Sequence, residues 1–416
     1  MLLPRDVQVL VAGAGPAGLF TALTLARRGV RVAVVDEQPR TTARTYACAL
    51  HPRSLDLLED AGLAGELIAG GQRLDGVAFY EGPVRRVEAR YSALPGKHPF
   101  LLIVPQQALE DALEKHLKAE GVPVLWSHRL GRVTVEGGVA HTRIERLELD
   151  SSGYSVQTAE WVVDREEEAE LPFVVGADGH RSLVRRGLGI DLVPVGDPQL
   201  FAVWEFAGQG PELREVRVIL SGGRAGVLWP LGQGWYRFGF ELDAAEQLGI
   251  RREKSRQVAL AGDPAQELLD RSWLEALAAE RAPWFEVPIE TLAWSAPIRF
   301  ERKLASSFGR GAAWILGDAA HLAPPVSMQS MNAGLFEART LAEALEAVLR
   351  AGSPRARLLE WGQQRRSEME RLLSCSPSAG VGADAFVQSQ ARVLADCLPI
   401  SGDDRPRMLQ QLALET

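Results

Sequence analysis

The chain has 416 residues, 46% of them hydrophobic, and 54 acidic against 46 basic side chains give a net charge of −8. That length holds roughly two to three ordinary cores, and the acidic balance disfavours nucleic acid or an anionic membrane surface as a partner. Cys48, Cys375 and Cys397 lie far apart without Cys-x-x-Cys spacing, so neither a disulfide framework nor a thiolate metal site is suggested, and a cytoplasmic location is expected.

Residues 7–26 carry no charge and superficially imitate a signal peptide or membrane span. The glycines at 13, 15 and 18 and Pro16 argue instead for a buried strand over 7–12, a turn, a helix over 16–28 and a second apolar strand over 30–35. No transmembrane segment is therefore expected. Leu109, Leu113 and Leu117 recur four apart, which predicts a helix over 106–120 stopped by Gly121, with a strand over 122–126 after it.

Alternating stretches between 129 and 163, punctuated by Gly137-Gly138 and Ser151-Ser152-Gly153, predict a small antiparallel sheet. The charge run 164–170 reads as a solvated loop before a strand over 172–176. From about residue 190 the texture changes to short apolar strands rich in Trp and Phe, at 201–206, 216–220, 226–231 and 235–242. These suggest a second domain that faces a substrate. Helical residues 266–279 follow, then strand-like stretches 291–300 and 313–316 leading back toward the first domain, then helices over 329–350, 355–373 and 383–398.

Three motifs carry chemistry. Gly13-Ala14-Gly15-Pro16-Ala17-Gly18 has the spacing of a dinucleotide turn: Gly13 allows the tight turn, Gly15 close approach of a pyrophosphate, and Gly18 close helix packing. Asp36, ending the second strand, is placed to accept hydrogen bonds from adenosine ribose hydroxyls. Gly176-Ala177-Asp178-Gly179-His180-Arg181-Ser182 and Gly317-Asp318-Ala319-Ala320-His321 each follow an apolar strand, so each sets an Asp just past a strand end. Taken singly, Asp178 or Asp318 could do no more than cap a turn. For His321 a structural role in fixing the turn is favoured over acid/base catalysis.

At these points the sequence resembles the class A flavin monooxygenases, the family of para-hydroxybenzoate hydroxylase, and the order of motifs matches from about residue 7 to 375. The resemblance implies an α/β fold: a Rossmann-like FAD-binding domain with an interleaved antiparallel-sheet substrate domain and C-terminal helices. Its expected divisions are 1–75, 100–190 and 285–380 for the FAD-binding domain, 76–99 and 191–284 for the substrate domain, and 381–416 for a C-terminal helical segment. It also implies FAD held by Gly13, Gly15, Ala17, Gly18, Asp36, Gln106, Asp178, Gly317, Asp318, Met331 and Asn332. Asp178 would lie near the pyrophosphate and the approach of NAD(P)H, Asp318 near the ribityl chain or its neighbouring phosphate region, and Asn332 near the flavin pyrimidine edge.

The implied activity is NAD(P)H- and O2-dependent hydroxylation or epoxidation of an apolar or aromatic small molecule through a flavin hydroperoxide. The cofactor supplies that chemistry, so no metal is required and no side chain is assigned a catalytic role. A reductase or dehydrogenase without oxygen transfer, or a silent binding partner of the same fold, remains open at this stage. Phe201, Trp204, Trp229, Trp235, Phe238 and Trp294 are candidates for lining a pocket, although core packing accounts for each one singly.

Two departures from the family pattern stand out. Tyr46 occupies a position where the family often has Arg, leaving Arg44 or Arg53 as substitutes. The loop that commonly reads Pro-x-Gly-Gly-Gln-Gly-Met-Asn is here Pro325-Val326-Ser327-Met328-Gln329-Ser330-Met331-Asn332. Any of those three lost glycines that needs positive φ would leave its replacement strained.

Overall fold

The computed structural model describes residues 2–40, 47–152, 158–247 and 269–415. The expected opening unit forms: β1 (Val9–Ala12), α1 (Pro16–Arg27) and β2 (Val32–Asp36), with both strands apolar and buried because they lie inside a parallel sheet covered on both sides. In that sheet β1 pairs in parallel with β2 on one side and with Phe173–Gly176 on the other. Val124–Trp126 extends it beyond β2, and Ala313–Ile315 beyond Phe173–Gly176. The chain therefore reverses direction across the sheet beside β1. At such a switch point the carboxyl ends of neighbouring strands open a crevice, and in open parallel sheets ligands bind there.

A second, eight-stranded sheet is antiparallel except where Glu215–Ser221 runs parallel to Gly76–Glu81. Its longest pairing joins Leu192–Gly208 to Ile289–Ala305. The strand expected over 291–300 thus belongs here and does not lead back to the parallel sheet, which the chain re-enters at Ala313–Ile315. Seventeen-residue strands can stay paired at this length because bulges at Pro194/Gly196 and Glu205/Phe206 absorb their twist.

The two faces of this sheet bury different clusters. Trp204, Phe206, Phe238 and Phe240 pack with Leu274 and Leu277 of the helix Arg271–Arg281. Phe201, Val203, Val218 and Trp229 pack with Phe386, Leu394, Leu398 and Met408 of the C-terminal segment, and Val326 joins them from the 323–331 loop. The helix Ala385–Asp396 falls within the expected 383–398, whereas Arg405–Gln411 carries no sequence signal of its own.

The charge run 164–170 is a correction to the expected loop. It lies within the strand Thr158–Leu171, which pairs with Val139–Ser152 as the edge of a three-stranded sheet. An edge strand tolerates charges that a central one would bury, and cross-strand pairs such as Arg146–Asp164 at 3.7 Å compensate them. Of the described helices, none is long and apolar enough to cross a membrane.

Candidate functional site

The carboxyl ends of the parallel strands gather four sequence signals along one edge. In spatial order these are Gly317-Asp318 after Ala313–Ile315, Asp178 after Phe173–Gly176, the glycine turn after β1, and Asp36 at the end of β2. Each glycine of the turn after β1 has its own reason. Gly13 has φ +104°, and a Cβ there would lie 2.2 Å from the Ala177 carbonyl oxygen. At Gly18 a Cβ would lie 2.0 Å from the Gly13 oxygen. Around Gly15 a Cβ would meet nothing within 4 Å, so the turn is tight on its packed side and open on its outer side. That open side adjoins the first turn of α1, whose N–H groups favour an anion.

Asp36 lies across this turn, accepting hydrogen bonds from the Ala14 amide at 2.7 Å and the Gln38 amide at 2.8 Å. Burial nevertheless raises its pKa above the ordinary carboxylate value. Asp178 caps the turn with one oxygen only: Oδ2 accepts from the Leu183 and Val184 amides at 2.6 and 3.2 Å. Its Oδ1 is buried with no hydrogen-bond partner, and burial raises this pKa too. A desolvated, unsatisfied carboxylate oxygen is costly unless something polar meets it.

Gly317 has φ +59°, which turns its N–H inward to Glu337 Oε2 at 2.9 Å. Protein surrounds Asp318 in depth, raising its pKa by desolvation, yet the side chain is exposed. That combination describes the floor of a cleft. Ala17 of α1 closes against this turn: Cβ atoms built on Gly317 and Gly334 would lie 3.5 and 3.3 Å from the Ala17 methyl group. Small residues at all three positions let α1, the turn and the helix Gln329–Leu349 meet.

His321 behaves as a structural residue. Fully buried, its Nε2 lies 2.9 and 3.0 Å from the two Glu337 oxygens. Burial works against its charged form, but Glu337 and Asp318 outweigh that and hold its pKa above the ordinary value. On the other side of the turn, the buried Arg185 guanidinium donates to the Ala319 and His180 carbonyls at 3.0 and 2.9 Å, tying the Asp318 and Asp178 loops together.

The 323–331 loop contains the strain that its missing glycines portend, at one position. Met328 has φ +50° and ψ +35°, the left-handed region, whereas Ser327 and Ser330 avoid positive φ. The Ser330 hydroxyl accepts from the Ala323 amide at 3.0 Å. Asn332 fixes the loop from inside, accepting from the His51 amide (2.9 Å) and Ser54 hydroxyl (2.7 Å) and donating to the Ala49 and Met328 carbonyls (2.8 and 2.7 Å). His51 adds a bond from Nε2 to the Ser327 carbonyl at 3.1 Å, and Gln329 donates to the Ile400 carbonyl of the C-terminal segment. Met331 is half-buried against the first core cluster.

Gln106 opens its helix and donates to the buried Glu110 at 2.8 Å. Tyr46 and Arg44 lie outside the described residues. Arg53 stacks 4.2 Å over the Phe336 ring and pairs with Asp403 at 3.3 Å, so its charge is directed to the C-terminal segment. Among the aromatic candidates, Trp204 and Phe238 face the cluster under helix Arg271–Arg281, while Phe201, Trp229 and Trp294 face the side occupied by Val326 and Met328. Sequence reasoning passes over Glu337, Arg185 and His51. A signal exists for the first: Glu337 interrupts the apolar stripe of Leu335, Ala338 and Leu341 on one helix.

Comparison with known proteins agrees with this geometry. Residues 6–376 match the model of the FAD binding domain family. The chain is 31% identical over 386 residues to 6-methylpretetramide 4-monooxygenase of Streptomyces rimosus, covering 89% of this chain and 61% of that protein. It is 26% identical to pentachlorophenol 4-monooxygenase of Sphingobium chlorophenolicum, covering 88% of this chain and 63% of that protein. The chain thus spans about six-tenths of the length of these curated relatives. In fold it is similar to p-nitrophenol 4-monooxygenase of Pseudomonas putida DLL-E4, with a TM-score of 0.69, 20% identity and 98% of each chain covered.

Proposed function

The chain belongs to the FAD-binding family of class A aromatic-hydroxylase-type flavin monooxygenases, and from that membership we propose that it is an NAD(P)H-dependent monooxygenase of an apolar or aromatic small molecule. The observation that carries this reading is the crevice itself. An open turn at Gly15, the unsatisfied Asp178 Oδ1 and the exposed Asp318 on a cleft floor follow one another along one sheet edge, a donor and acceptor set that suits an extended dinucleotide. Bound there, FAD would supply hydride acceptance from the nicotinamide and activation of O2.

The residues of this chain do the remaining work. Amides of the glycine turn and the first turn of α1 would neutralise the pyrophosphate, and Asp36, already aligned by Ala14 and Gln38, would orient the ribose. Gln106, Met331 and Asn332 would border the flavin end, where Asn332 acts by holding the loop in place, since its amide is engaged by protein on every side. Trp294, Ile298 and Phe300 remain half-buried on the sheet face shared with Val326 and Met328, which gives an apolar wall able to exclude water from an aromatic substrate.

By their names, two of the chain's relatives act on 6-methylpretetramide and on pentachlorophenol, and the second, a phenol, supports an aromatic substrate here. The test is NAD(P)H oxidation by the FAD-loaded protein under 18O2 with a panel of phenols and polycyclic aromatics, read by product mass. Label in a product is expected. NAD(P)H consumption that yields only peroxide across the panel would favour a reductase or oxidase.

A further inference from the structure

Glu337 is an unfavourable residue where it stands, by packing alone. It is 2% exposed in the middle of a helix, on the stripe that Leu335, Ala338 and Leu341 bury, and removing a carboxylate from water is costly unless charge-assisted hydrogen bonds compensate. Leucine would serve the packing better. What the carboxylate adds is aim: both oxygens face the His321 Nε2, and Oε2 also takes the Gly317 N–H.

We propose that Glu337 is the positioning residue of the Gly317–Asp318 turn, setting the height and direction of Asp318 on the cleft floor without touching the cofactor itself. This rests on the FAD reading above. Four restraints converge on the turn. From below, Glu337 holds Gly317 in its left-handed conformation and grips His321 four residues later. From one side Arg185 holds the Ala319 carbonyl at 3.0 Å. From the other, His321 pairs with Leu304 in the eight-stranded sheet, so the turn spans both sheets. Helix Gln329–Leu349 closes the fourth side through Gly334, where a Cβ would approach Gly317 Cα to 3.3 Å.

Of these, only Glu337 binds both ends of the turn. The same helix begins at Gln329 and carries Asn332, so the carboxylate also fixes the register between the Asp318 turn and the 323–331 loop. Charge-assisted bonds of this kind are about twice as strong as neutral ones, enough to decide where a two-residue turn sits.

The experiment is a double-mutant cycle on FAD affinity, measured by flavin fluorescence quenching with the full chain stripped of FAD. The four proteins are wild type, Glu337→Gln, Asp318→Ala and the double variant. Gln keeps the shape but loses the charge, and its NH2 group takes the place of one carboxylate oxygen, so His321 Nε2 keeps one acceptor where it now has two. Glu337→Gln is expected to weaken FAD binding roughly tenfold or more, and the double variant to bind no more weakly than Asp318→Ala alone. A purely structural role would multiply the two losses, and that result overturns the proposal, as does an unchanged affinity in Glu337→Gln. If Asp318→Ala alone leaves affinity unchanged, the FAD reading of the turn falls and takes this proposal with it, which distinguishes the two failures. Should Glu337→Gln not fold, Glu337→Asp replaces it, keeping the charge but shortening the reach by one methylene, with the same non-additivity expected.

Discussion

Gly13 and Gly15 stand two residues apart in one motif and yet have opposite physical reasons for lacking a side chain. A methyl group at Gly13 would strike the Ala177 carbonyl, in a backbone region that L-residues avoid, whereas at Gly15 it would project into open space. Gly13→Ala should therefore lose a few kcal/mol of stability, on the order of 2–4, while Gly15→Ala keeps wild-type thermal unfolding and loses FAD affinity. Thermal melts of the two variants with an FAD titration of each check this; equal stability loss at both sites would remove the distinction.

His51 offers a second test at this scale, because burial pushes its pKa down from 6.5 to about 3. The unfolded chain takes up the proton as pH falls through the ordinary value, and the folded protein does not. Its contribution to stability is thus complete above about pH 6.5 and declines by about 1.4 kcal/mol per pH unit below that, until about pH 3. Between about pH 7.5 and pH 5, wild type should lose roughly 2 kcal/mol more than His51→Gln in urea unfolding. Equal losses would show that the imidazole is not held neutral.

In the 323–331 segment three glycines of the family pattern are replaced, and the three departures are not equivalent. Met328 alone carries conformational strain, about 1 kcal/mol for a left-handed non-glycine residue, and its side chain packs with the second core cluster. Ser330 instead gains a hydrogen bond to Ala323, and Ser327 lends its carbonyl to His51. Restoring glycine at Ser327, Met328 and Ser330 together should leave FAD binding largely intact but loosen the loop and admit water. The ratio of product formed to NAD(P)H consumed should then fall, with more peroxide released. An unchanged ratio with unchanged substrate affinity would make the three side chains neutral replacements.

For the whole molecule, the C-terminal segment acts as part of the scaffold. Leu394, Leu398, Met408 and Leu409 are fully buried against the eight-stranded sheet. Arg302 pairs with Asp396 at 2.7 Å, and Gln329 reaches Ile400 from the start of the helix Gln329–Leu349. Leu398→Ala should cost about 2–5 kcal/mol in denaturant unfolding. Val381→Ala, at a position 103% exposed, should change stability by no more than about 0.5 kcal/mol. A small effect at Leu398 would mean that the segment is only loosely attached.

The nucleotide half of the protein is legible in the sequence because its signals are local. A glycine turn, a buried strand and an Asp at a strand end each fit within a dozen residues, and the parallel order of β1, β2, Phe173–Gly176 and Ala313–Ile315 brings their ends to one edge. The same locality explains what the sequence misleads on. The charges of 164–170 are mostly solvent-facing, as expected, but they lie on a strand and not in a loop, because the strand that pairs with them, Val139–Ser152, lies outside the run. Asp178 and Asp318 are recognisable as strand-end carboxylates, but only the tertiary structure decides that one keeps an unsatisfied oxygen and the other an exposed face. Glu337, His51, the Arg185–Ala319 bond and the C-terminal anchor at Ile400 act over sequence separations that no motif spans, from 16 residues for His321–Glu337 to 281 for His51–Asn332. Residue types and short spacings specify which groups can meet a dinucleotide; burial and long-range hydrogen bonds determine how firmly, and in what direction, those groups are held.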